Sequence, residues 1–345
     1  MFEKVLNNRF LILYVIPFTI GSLSIISFHP FNITIVNLII FPLFFYLIVY
    51  INKKSKSVYR IKPLRKNLFT FGLLFGFGFY LSGISWITNS LTYDENFKIL
   101  IPFALIAIPL FLSLFVGLAI LIIGPFLNNN FSSILFFSAG LGVSDFFRSK
   151  ILTGFPWNLW AYSFSSSTEI LQILNFMGLF AFNLLAITIF TLPAFLFFKI
   201  NNLKKIFVSI LTVILILSSY IFGSYQINKN NKLIKTLDKI INVKIISPNF
   251  KLEYDLNIGQ IENKLKKLIK YSEPENDKKT LFIWPEGVFS GYSYEEVLIF
   301  DDLIKNNFSK NHHIIFGINK LDQTSGSFYN SLLLVNNKFE IVQQY

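Results

Sequence analysis

Leu281-Phe-Ile-Trp-Pro-Glu286-Gly287 reads as a short apolar strand that ends in a carboxylate and a turn glycine. The chain around it alternates. Val243-Lys-Ile-Ile-Ser-Pro-Asn249 is a β-rich run closed by Pro and Asn, and Leu256 to Tyr271 places Ile258, Ile261, Leu265, Leu268 and Ile269 at helical spacing with lysines between them. Tyr294 to Asn307 is a second helical stretch and His313-Ile-Ile-Phe-Gly-Ile318 a third strand. Tyr329 to Val335 and Phe339 to Gln344 flank Asn336-Asn337-Lys338, a hairpin pattern. Strands and helices in this order predict an α/β layered fold whose apolar strands lie under helices.

Upstream of Asn228 the sequence changes character. Seven apolar runs, approximately 10–28, 31–51, 67–91, 99–127, 131–147, 169–198 and 206–226, are separated by short polar loops. A run of about 20 apolar residues crosses a bilayer core of about 30 Å as a helix. The expectation is a multi-span α-helical membrane bundle of seven helices over 1–227, followed by the α/β domain over 228–345. Hydrophobic residues make up 53% of the chain and its mean hydropathy is +0.55, outside the range of an ordinary water-soluble domain. The first run lacks a small-residue cleavage site before His29-Pro30-Phe31, so it reads as a helix and not as a signal peptide.

The net charge of +12 could suggest nucleic acid as a partner, but its distribution excludes that reading. Residues 1–227 carry 15 Lys/Arg against 5 Asp/Glu, whereas residues 228–345 carry 16 against 14. Basic residues flanking membrane spans orient them. With the N-terminus in the cytoplasm, Lys4, Arg9, the cluster from Lys53 to Lys66 that includes Arg60, and Lys199, Lys204 and Lys205 share the cytoplasmic side. Lys98, Arg148 and Lys150 then lie outside, and an odd number of spans places the α/β domain outside as well. Trp86, Trp157 and Trp160 fall at that outer boundary, where amphipathic rings prefer to sit.

Several residues invite chemistry and have plainer readings. His29, His312 and His313 show no zinc-site spacing, so no metal is expected, and no cofactor is called for. Gly72-x-x-x-Gly76, with Gly78 and Gly83, lies inside a span and predicts a helix-packing surface. Asp145 and Arg148 are one helical turn apart, which suits a local ion pair; contact with a lipid headgroup is the functional alternative. Glu286 is the candidate catalytic residue. Sheet packing fixes the backbone of a strand end while the side chain emerges beyond it, with Trp284 and Pro285 positioned to keep water away. The competing reading is a loop Glu that caps the next helix or is simply solvated.

Thr280-Leu-Phe-Ile-Trp-Pro-Glu286, preceded by Val243 to Asn249 and followed by His313-Ile-Ile-Phe-Gly317 and Phe328 to Val335, resembles the opening half of a nitrilase-superfamily domain. In the membrane half, Phe155-Pro156-Trp157-Asn158 after Thr153-Gly154, Phe77 to Trp86 and Phe28-His-Pro-Phe31 are similar to bacterial apolipoprotein N-acyltransferases. The resemblance implies an αββα sandwich and a Glu-Lys-Cys triad in which the residue matching Glu286 removes the thiol proton. A phospholipid would be the acyl donor, a cysteine thioester the intermediate, and the α-amino group of a diacylglyceryl-lipoprotein the acceptor. It further implies a monomer in the bacterial inner membrane with a periplasmic soluble domain.

The chain departs from that pattern. It contains no cysteine, and the family's Lys lies beyond the strand matching Phe339 to Gln344. The domain is therefore expected to be incomplete, and this polypeptide inactive by itself. Lys320 and Lys338 are poor replacements, Tyr254-Asp255 stands where the family often has Trp-Asp, and Asp145 where it tends to have Glu. Two other functions fit the same architecture. One is a membrane-tethered nitrilase-like amidase; the other is a multi-span transporter with a regulatory soluble domain, although its spans show almost no ionisable residue away from their ends.

Overall fold

The computed structural model describes residues 8–56, 61–236, 241–250, 253 and 256–345. Lys4, Arg60, Tyr254 and Asp255 lie outside the described residues. The chain divides into two compact units, Met1–Lys232 and Leu233–Tyr345. The division falls a few residues past the change in composition because the last apolar helix runs on, as polar helix, to Lys235.

The first unit contains α1 (Ile16–Ser24), α2 (Asn37–Lys56), α3 (Ile61–Ile84), α4 (Ile101–Ile123), α5 (Phe131–Arg148), the short α6 (Thr168–Leu171), α7 (Leu174–Thr191) and α8 (Asn202–Lys235). Five described stretches, Thr34–Lys54, Leu64–Thr92, Glu95–Phe126, Leu174–Phe197 and Asn202–Lys235, are long and apolar enough to cross a membrane. The first of the seven apolar runs forms the shorter helix Leu11–Ser27. The fifth forms α5, whose last turns carry Asp145 and Arg148 on its buried side.

Phenylalanines fill the interior of this unit. Phe41, Phe44, Phe45, Phe71, Phe75, Phe79 and Phe137 are buried, and Phe44 stacks on Phe75 with 3.9 Å between ring centroids. In lipid such packing acts through close van der Waals contact, since leaving one apolar medium for another provides little drive. Close approach of backbones is the complementary device. A Cβ at Gly78 would lie 2.1 Å from the Phe18 carbonyl oxygen, and one at Gly21 would lie 2.1 Å from that of Phe75. Gly72 and Gly76 meet Ile120 and Ser113 of α4 in the same way, as expected of a small-residue stripe.

The second unit is a five-stranded sheet, β1 (Asn242–Ile245), β2 (Thr280–Ile283), β3 (His312–Leu321), β4 (Phe328–Asn336) and β5 (Ile341–Gln344), with strands in sequence order. β1, β2 and β3 are parallel, and β3, β4 and β5 antiparallel. Three helices, α9 (Ile258–Ser272), α10 (Tyr294–Val297) and α11 (Asp301–Asn307), complete it. A capping box between Asn257 and Gln260 starts α9, satisfying two end groups at once.

From α9, Ile261, Leu265 and Leu268 join Phe282, Ile314, Phe316, Leu333 and Val335 in one buried cluster. Each such side chain contributes about 1.5–3 kcal/mol on full burial. The other face is open: alternation along the strands leaves Val243, Ile245 and Leu332 exposed and Leu281, Ile283, Ile315 and Leu334 half-buried.

Candidate active site

Glu286 sits in the turn that follows β2, and Gly287 after it takes the left-handed conformation, φ 71°, that lets the chain double back. The loops after the neighbouring parallel strands β1 and β2 form a cleft of about 210 Å³ lined by Ser247, Asn249, Glu253, Lys264 and Glu286. This is the carboxyl end of the parallel part of the sheet, where α/β proteins place ligands. A larger depression of about 520 Å³, bordered by Leu281, His313, Ile315 and Leu334, belongs to the open sheet face and holds no carboxylate.

The Glu286 side chain is seated on Gly317 of β3. A Cβ at position 317 would lie 3.2 Å from Glu286 Cγ, so the missing side chain makes the seat. Asn330, on the adjacent β4, donates Nδ2 to Glu286 Oε1 across a long 3.4 Å. Trp284 does not shield the carboxylate, as the sequence suggested. Its indole is taken into the core, where Nε1 donates to Ser272 Oγ at 3.0 Å, and Glu286 remains exposed. With a single weak donor among the described residues, the carboxylate keeps lone pairs there to accept a proton from a bound group. Sequence reading missed Gly317 as the seat and Asn330 as the donor; the pairing of β2 with β3 brings Gly317 to Glu286, and that of β3 with β4 brings Asn330.

The other candidates separate clearly. Lys338 is in the exposed turn between β4 and β5, and Lys320 Nζ donates to its neighbour's carbonyl at 3.4 Å. His312 is buried, accepts from Ser309 N–H at Nδ1 and pairs through Nε2 with the Glu275 carbonyl, so its hydrogen bonding is satisfied. Among the described residues no group of three His, Cys, Asp or Glu is placed to hold a metal ion.

In the membrane unit, Asp145 and Arg148 form the expected ion pair at 3.1 Å, but it is buried and bound to protein. Arg148 donates Nη1 to the carbonyls of Phe155 and Trp157 at 2.6 and 2.8 Å, and its guanidinium lies over the Tyr80 ring. Asn183, which no sequence pattern marked, donates to Asp145 Oδ2 at 2.9 Å and accepts from Ala161 N–H at 3.1 Å. The network clamps the loop from Phe155 to Ala161. Trp160 differs from expectation for this reason: the clamp turns it inward, where it stacks on Phe79 at 4.4 Å and meets Phe41 edge-on. Trp86 and Trp157 are half-exposed and pack edge to face at 5.4 Å.

Fold and site together define a multi-span membrane protein that carries an α/β unit with an accessible strand-end carboxylate. Residues 20–192 match the family model of the apolipoprotein N-acyltransferase N-terminal domain, and the chain belongs to that family. Apolipoprotein N-acyltransferase of Bradyrhizobium diazoefficiens is 26% identical over 283 residues, 79% of this chain and 51% of that protein. The Rhodopseudomonas palustris enzyme of the same name is 27% identical over 285 residues, 80% of this chain and 51% of its own. That of Rhizobium leguminosarum bv. trifolii is 25% identical over 338 residues, 93% of this chain and 61% of its own. The chain spans about half the length of the first two relatives.

Proposed function

We propose that this chain supplies the membrane bundle and the proton-accepting carboxylate for apolipoprotein N-acyl transfer at the bacterial inner membrane. The carrying observation is Glu286, seated on Gly317 at the mouth of a strand-end cleft, in a chain of this family. In this reading Glu286 takes the proton from a thiol, the thiolate attacks a phospholipid ester, and the resulting thioester passes its acyl group to the α-amino group of a diacylglyceryl-lipoprotein. The 345 residues contain no cysteine, so the thiol lies outside them. Both substrates are lipid-anchored. A bundle that keeps their chains in an apolar medium avoids a cost of about 0.8 kcal/mol per CH₂ withdrawn.

The basic loops of the membrane unit favour a periplasmic α/β unit, which the absence of native cysteine makes easy to test. Asp277→Cys should react with a membrane-impermeant maleimide supplied from the periplasmic side; protection until the inner membrane is lysed would place the unit in the cytosol. The chemical role is tested in a chain extended to the length of the relatives. Labelled phospholipid should leave a hydroxylamine-sensitive acyl group on that protein and none on its Glu286→Gln variant, with membrane insertion equal in both. Acylation that persists in Glu286→Gln removes Glu286 from the mechanism.

A further inference from the structure

The membrane unit contains a cavity of about 380 Å³ that the proposed chemistry does not use. Three segments enclose it: the turn at 28–31 between α1 and α2, the end of α3 with the residues just after it, and the loop clamped by Arg148. Gly83 is where they meet. A Cβ there would lie 2.2 Å from Asn158 Nδ2 and 2.5 Å from Ile25 Cδ1, so the segments are closely packed and the cavity is built into the fold. Asn158 Nδ2, at its wall, is buried with no hydrogen-bond partner among the described residues, a donor that the protein leaves unused.

The lining decides what such a cavity takes. Trp86 and Trp157 form apolar walls, and Ser82, Tyr162 and Ser165 bring hydroxyls to them. Among the described residues no Lys, Arg, Asp or Glu borders it, and Arg148, which holds the Trp157 carbonyl, is itself paired with Asp145. Donors without charge suit a neutral oxygen that only accepts, whereas an ionic group buried there would go unpaired. Half-exposed indoles mark the level where a bilayer passes from acyl chain to headgroup, which is the level of the glycerol esters. We infer that the cavity is a lipid site that grips a bilayer phospholipid by its glycerol ester carbonyls. Tyr162 and Asn158 donate to the carbonyls, the two indoles cover the glycerol and the first CH₂ groups, and the headgroup is left unread. The site belongs wholly to the membrane unit and does not depend on the transfer reaction.

The test uses the 345-residue chain in a maltoside detergent, which has no ester, with dibutyryl glycerophosphocholine and its dibutyl ether analogue as probes, read by saturation-transfer NMR. His29 also borders the cavity, so the measurement is made at about pH 8, where an ordinary imidazole is neutral. The diester should bind about fivefold more tightly than the diether. Exchanging phosphocholine for phosphoglycerol should change binding by less than about twofold. Ser82 is exposed at the cavity edge, so Ser82→Trp should block entry and abolish binding of both probes. Equal binding of diester and diether, a preference for the anionic headgroup above about fivefold, or full binding to Ser82→Trp overturns the assignment. Should circular dichroism show that Ser82→Trp is unfolded, Tyr162→Phe combined with Ser165→Ala decides: the ester preference should fall toward parity, and an unchanged preference overturns it. The same diester carried on the sulfur of N-acetylcysteine methyl ester should bind no better than the phosphocholine probe; tighter binding would assign the cavity to a lipoprotein end and overturn the phospholipid reading.

Discussion

The two units handle an acidic side chain in opposite ways. In the membrane unit Asp145 is buried, receives Arg148 on one oxygen and Asn183 on the other, and is committed to holding a loop. In the α/β unit Glu286 is exposed and, among the described residues, receives one donor at 3.4 Å. A carboxylate whose lone pairs are filled by protein is structural, whereas one positioned by packing but left unfilled can do chemistry. The largest test of this contrast is removal of the counter-charge. Arg148→Met leaves Asp145 buried with one partner and frees the carbonyls of Phe155 and Trp157, so the membrane unit should lose about 3–5 kcal/mol of stability in detergent unfolding. Glu286→Gln should change the unfolding of the α/β unit by no more than about 0.5 kcal/mol. Equal losses in the two variants would erase the distinction.

A smaller effect should come from the seat of Glu286, where site and stability are expected to part. Gly317→Val suits a β-strand, since a branched side chain fits the pleated surface, so the melting of the α/β unit should hold or rise. The same side chain must push Glu286, whose Cγ is only 3.2 Å from the first added carbon. A displacement near 1 Å at a reacting group costs about 100-fold in rate, which acylation in the lengthened chain would read. Normal acylation in Gly317→Val would mean that the position of the carboxylate matters little.

What the sequence carried, and what it did not, follows the range of the interactions. The strands around Leu281, His313 and Tyr329 and the α9 stripe from Ile261 to Ile269 are local patterns, and the observed elements begin and end within a few residues of those readings. Membrane character was equally legible because it needs only composition over a window. Asn183 and Asp145 are 38 positions apart and Glu286 and Asn330 are 44 apart, so no window contains either pair. Trp160 shows the same limit: an indole near a helix end suits a membrane boundary, and the Arg148 clamp on the preceding loop turns it into the core instead.

Asp322 sharpens the contrast between the acids because it is partly exposed yet filled like Asp145. The Thr324 hydroxyl and N–H donate to Oδ1 at 2.6 and 3.1 Å, and Ser325 donates to Oδ2 at 2.8 Å. These bonds, the Thr324 hydroxyl first, hold its pKa down from an ordinary 3.8 to about 2. A folded-state pKa below the unfolded value adds stability that is complete above about pH 4 and fades as pH falls toward 2. Thr324→Val removes the strongest of the three donors, so the Asp322 carboxyl should titrate closer to 3.8 by NMR, and stability should fall above about pH 4 while staying unchanged near pH 2. A titration that stays near 2 in the variant would show that the loop backbone suffices, and that exposure says little about how far a carboxylate is committed.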